Sequence, residues 1–68
     1  MSISIEIQAA RTQSFIKIVK KAISDIDDLK DLDYLSEHQA KKATDIAKDD
    51  LVKLDYRLAK LNLKLATV

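Results

Sequence analysis

Not one glycine or proline occurs in the 68 residues of this chain. Those two residues punctuate most tight turns and strand ends, so a sheet built from this sequence would have little to turn on. A helix needs neither in its interior, where both are destabilising. The apolar positions agree with helix. Ile5, Thr12, Val19 and Ile26 form one row, Phe15, Ala22 and Leu29 a second, and Ala9, Ile16 and Ile23 a third. Three columns per heptad make the wide stripe of a helix packed in a bundle. The opposite positions, Gln13, Ser14, Lys17, Lys20, Lys21, Ser24, Asp27 and Asp28, are all polar.

The second half carries a narrower seam. Ala40, Thr44, Ala47, Leu51, Leu54, Leu58, Leu61, Leu65 and Val68 follow alternate steps of four and three, the coiled-coil spacing. Between the halves, Asp25, Asp27, Asp28, Asp31 and Asp33 crowd the end of the first helix, where the helix dipole disfavours negative charge. The following Ser36-Glu37-His38-Gln39 fits a capping box, with Leu35 placed as a staple against Ala40. These cues predict one all-α domain over residues 1–68: a helix over about 4–31, a turn over about 32–36 and a helix over about 37–66. The alternative is one unbroken helix of about 60 residues, because Val19, Ile26, Asp33, Ala40 and Ala47 stay seven apart through the turn. Charge at Lys30, Asp33 and Glu37 on that seam argues for the hairpin.

The start of the chain is ambiguous. Ser2 to Gln8 alternates with period two, the pattern of a strand, and a strand before two helices would suggest a ribbon-helix-helix DNA binder. The polar set there, two serines with Glu6 and Gln8, lacks the long basic side chains such a ribbon would aim at DNA. A helix start is the expected reading.

Folded antiparallel, the helices place position i near position 68 − i, so Ile23 and Ile26 meet Ala43 and Ala47, and Ala9 and Thr12 meet Leu58 and Leu61. Large then meets small at both ends, as dense packing requires. The expected core seam is Ile16, Val19, Ile23, Ile26, Leu51, Leu54, Leu58, Leu61 and Leu65. A chain this short rarely draws more than about 3–5 kcal/mol from its own core. Ile18, Leu32, Ile46, Val52, Ala59, Leu63 and Ala66 would stay wet on its flanks. A second copy would cover them, giving a homodimeric four-helix bundle. Residues 1–24 sum to +3, 25–37 to −5, 38–50 to zero and 51–68 to +3. The turn is thus acidic and the open end, with Arg11, Arg57, Lys60 and Lys64, is basic, which favours an antiparallel dimer.

Several functions are disfavoured by composition. The chain has no cysteine and one histidine, which removes disulfides, thiol chemistry and most metal sets built from side-chain nitrogen. His38 has no nucleophile placed near it by the sequence, so no enzyme, cofactor or metal is expected. No apolar run approaches the roughly 18 residues of a membrane span, and no leader pattern is visible, so a soluble cytoplasmic protein is expected. The first expectation for function is an interaction or regulatory module acting through protein contacts as a homodimer. The second is an RNA- or DNA-binding regulator using Gln13, Lys17, Lys20 and Lys21, a polar basic face suited to phosphates. Tyr34 is expected to pack over the end of the bundle and Tyr56 to be covered in the dimer.

Two likenesses to known families accompany this reading. The paired-hairpin layout resembles that of the plasmid repressor-of-primer family, and the resemblance implies an antiparallel dimer that binds RNA through one helix pair. It lies in layout, with no shared motif. The stretch KKAISDIDDLKDLDYLSEHQAKKATDIAKDDL, residues 20–51, is similar in rhythm to the C-terminal helical hairpin of ribosome recycling factors. That family has arginines on the preceding helix that matter for ribosome binding. Thr12 to Lys21 contains none, and the family's second domain is not expected within these 68 residues.

Overall fold

The computed structural model describes residues 3–67; Ser2 of the alternating start and Val68 of the seam lie outside them. Two helices make up the fold, α1 over Ile5–Asp31 and α2 over Glu37–Ala66. They pack against each other as an antiparallel hairpin, 50 × 19 × 15 Å in extent.

Each helix starts for a local reason. Ser4 caps α1 in an extended conformation, its hydroxyl accepting from the Ile7 amide at 3.2 Å. The Gln8 side chain donates back to the Ile3 carbonyl at 2.7 Å, tying the residue before the cap to the first turn. Ile5 to Gln8 are therefore helical, and the alternating start does not form a strand there. At α2, Ser36 Oγ accepts from the Gln39 amide at 3.1 Å while Gln39 Oε1 accepts from the Ser36 amide at 3.0 Å. This reciprocal pair satisfies two donors that the helix geometry leaves open. Leu35 before the cap is half-buried and Ala40 after it is buried, as a staple across the cap requires.

The end of α1 is closed by backbone alone. The Asp33 amide donates to the Lys30 carbonyl at 3.1 Å and the Tyr34 amide to the Leu29 carbonyl at 2.9 Å. This is a Schellman closure, and its left-handed residue is Asp33, at φ 64°. Aspartate tolerates that region better than most side chains, which is how a chain without glycine makes the reversal.

Between the helices lie Ile5, Ala9, Thr12, Ile16, Val19, Ile23 and Ile26 from α1, and Ala40, Thr44, Ala47, Leu51, Leu54, Leu58, Leu61 and Leu65 from α2. All are buried or half-buried, and both rows step by four and three. Arg11 shares a groove with Arg57, Phe15 with Lys53, and Asp27 with Lys41, each pair close to the relation i to 68 − i. The second apolar column of α1 does not join this seam: Phe15 is 55% exposed and Leu29 also faces out. One partner helix can cover only two of three columns.

Candidate interaction faces

A helix advances about 100° per residue, so the three kinds of side chain on α1 separate into three faces roughly a third of a turn apart. One is the seam against α2. The second holds Gln13, Lys17, Lys20 and Lys21, all exposed. Of these, Lys21 sits 4.0 Å from Asp25, an exposed pair of little energetic weight. The third holds Phe15, Ile18 and Ala22, with Arg11 one turn before and Asp25 one turn after. Ile18 is 61% exposed although its neighbours on this row are apolar.

Two grooves flank the seam, one on one edge near the turn and the other on the opposite edge toward the open end, and they differ in chemistry. One is lined by Asp27, Lys30, Glu37, Lys41, Asp45 and Lys48 around Ala40 and Thr44. Six ionisable side chains make it a solvated edge. The other is lined by Phe15, Val19 and Leu54 with Asp50 and Lys53, and continues past Gln8, Arg11 and Thr12 to Arg57. Its floor is apolar, and its cations lie toward the open end.

On α2 this second groove is lined by Lys53 and Arg57, and Lys60 and Lys64 follow them toward the open end, again at steps of four and three. Lys53 pairs with Asp49 at 3.1 Å, and the Lys60 ammonium lies 4.9 Å from the Tyr56 ring centre. A cation held over a ring at that distance is attracted by the ring's electron-rich face. Sequence reasoning noted Arg57, Lys60 and Lys64 as basic residues near the open end. It missed Lys53, which lines the groove with Phe15 and leads the four-three-four run of cations along α2; that spacing was the available signal.

The remaining sequence candidates are dispersed. Ile16 and Leu61 are buried in the seam, and Val19, Ile23, Ile26, Leu51, Leu54, Leu58 and Leu65 are half-buried there. Tyr34 does not pack over the end of the hairpin; it is 75% exposed, because the Schellman closure carries the chain away from the seam at that point. Tyr56 is exposed on the outer side of α2 with Val52 and Leu63. His38 is exposed in the first turn of α2, near Lys41, Lys42 and Asp45. Among the described residues no three histidine or acidic side chains converge as a metal would need, and no helix is long and apolar enough to cross a membrane. Comparison of the chain with protein-family models, curated proteins and solved structures returns no match.

Proposed function

We propose that the chain is a non-enzymatic interaction module that works in the cytoplasm as a homodimer of hairpins, a four-helix bundle that regulates or scaffolds through protein contacts. One observation carries this reading. The single hairpin exposes 5559 Å². A compact monomer of its 7.7 kDa mass would expose about 4,300 Å². The excess, about 1,200 Å², exceeds the roughly 800 Å² per partner of a standard protein interface. Among the described residues, Ala9, Thr12, Ile16, Ala40 and Leu61 alone are buried, and apolar side chains as large as Phe15 and Ile18 remain in water. A second copy is the source of cover that the chain itself guarantees. Sedimentation equilibrium at micromolar protein tests it: a dimer mass is expected, and a monomer mass across that range overturns it.

A second reading is favoured by one feature of α1. Gln13, Lys17, Lys20 and Lys21 point away from both the seam and the Phe15–Ile18 row, so a dimer formed across that row leaves them free for phosphates. Replacing the three lysines with glutamine tests this reading. Loss of an RNA or DNA mobility shift, with unchanged helicity, supports it; absence of any shift by the parent protein removes it.

A further inference from the structure

We infer that the face carrying Arg11, Phe15, Ile18, Ala22 and Asp25 is the dimer surface, and that its occupant is a second copy of this chain, antiparallel, about a twofold axis at Ile18. The inference rests on the dimer reading above and adds the surface and the orientation.

The row is self-complementary about its centre. Arg11 lies seven residues before Ile18 and Asp25 seven after it, all in one column of α1. A twofold axis at Ile18 therefore sets Arg11 of each copy level with Asp25 of the other, twice per dimer. Phe15 comes within one residue of the level of Ala22, so the bulkiest side chain on the face meets the smallest. Ile18 meets itself. A parallel pairing would instead set Arg11 on Arg11 and Asp25 on Asp25.

The neighbouring helix agrees. Lys53 and Arg57 line the groove beside Phe15 and Arg11, and Lys60 and Lys64 follow them along α2 toward the open end at helical spacing. Residues 25–37, around the turn, carry −5. Antiparallel pairing brings each acidic turn to the other copy's basic row, and parallel pairing superposes like charge on like. Such charge complementarity fixes orientation even where it adds little affinity. On the opposite edge of the seam the groove near the turn is lined by six ionisable side chains, and the exposed Val52, Tyr56 and Leu63 of α2 carry no acid–base pair placed symmetrically as Arg11 and Asp25 are.

Two single variants and their mixture test this. Arg11→Asp places two acids in each half of the interface, and Asp25→Arg places two bases there. Each alone is expected to weaken the dimer at least tenfold, read by sedimentation at fixed ionic strength, with helicity unchanged. An equimolar mixture pairs Asp with Arg at both ends and is expected to recover the parent dissociation constant within a few fold. A parent dimer whose two variants dimerise as well as it does, or whose mixture stays as weak as either alone, overturns the surface while the dimer reading stands. A monomeric parent overturns both.

Discussion

The amide of Tyr34 reaches back to the carbonyl of Leu29 at 2.9 Å across a residue, Asp33, held at φ 64°. The reversal between the helices depends on that one left-handed position. For most side chains the left-handed region costs about 1–2 kcal/mol, and glycine escapes it. Asp33→Gly is expected to stabilise the hairpin by about 0.5–1 kcal/mol, helped by the loss of a negative charge beyond the end of α1. Asp33→Val should destabilise it by about 1–2 kcal/mol. Urea midpoints at one protein concentration check both, and equal midpoints for the two variants would show that the turn carries no such strain.

The cap of α2 has a double bond pattern where that of α1 has a single one. Ser36→Ala removes the acceptor for Gln39 and leaves a helix terminus unsatisfied, at a cost of about 1 kcal/mol. Gln39→Ala removes only the reciprocal contact and should cost less. Ser4→Ala at the α1 cap loses one bond, to the Ile7 amide, in a turn that Gln8 still ties to Ile3. The expected order of thermal midpoints is parent, then Gln39→Ala, then Ser36→Ala. A Ser36→Ala midpoint equal to the parent's removes the cap as a cause of where α2 begins.

Much of this hairpin is legible in the residues because its determinants are local. The capping box needs only Ser36 and Gln39 at the right spacing, and the α2 seam needs only the four-three steps of leucine. What was not legible has a physical reason too. The acids around Asp33 announce a helix end, but a positive φ without glycine leaves no distinctive residue behind. On α1 the Phe15 column is as apolar as the Ile5 and Ala9 columns; matching large to small across the hairpin, Ile23 and Ile26 against Ala43 and Ala47, is what singles out Ile16, Val19, Ile23 and Ile26 for the seam. Tyr34 is exposed at the tip of the single hairpin, where the backbone closure turns it out; cover at the end of a bundle would have to come from a second copy. Ser4 shows the converse: a cap hidden within an alternating run.

Leu61 and Leu63 share a side chain and differ in environment. Leu61 is 6% exposed in the seam, and Leu63 is exposed on the outer side of α2. Leu61→Ala should cost about 2–4 kcal/mol, from lost burial plus a cavity between two rigid helices. That is most of what a chain of this size draws from its own core, so the thermal midpoint by circular dichroism should fall by roughly 10–30 °C. Leu63→Ala should fall within about 0.5 kcal/mol of the parent. A large loss at Leu63 would place that side chain under a second copy, on a face other than the Phe15–Ile18 row.

Thr12 stands alone as a buried polar side chain among the described residues, and it sits on the seam. Its hydroxyl donates to the Gln8 carbonyl one turn back, at 2.7 Å, so it is satisfied within α1 and ties nothing to α2. Back-bonding of this kind slightly destabilises a helix. Thr12→Val keeps the branched shape and exchanges a hydroxyl for a methyl against the apolar seam. The Gln8 carbonyl keeps the Thr12 position's own amide as its helical donor, so no buried group is orphaned. The variant is expected to be as stable as the parent or up to about 1 kcal/mol more so, with the same oligomeric mass. Destabilisation by more than about 1 kcal/mol would mean that the hydroxyl sets the pairing of the helices, and the seam would then need a polar determinant that the hydrogen bonds of the hairpin do not contain.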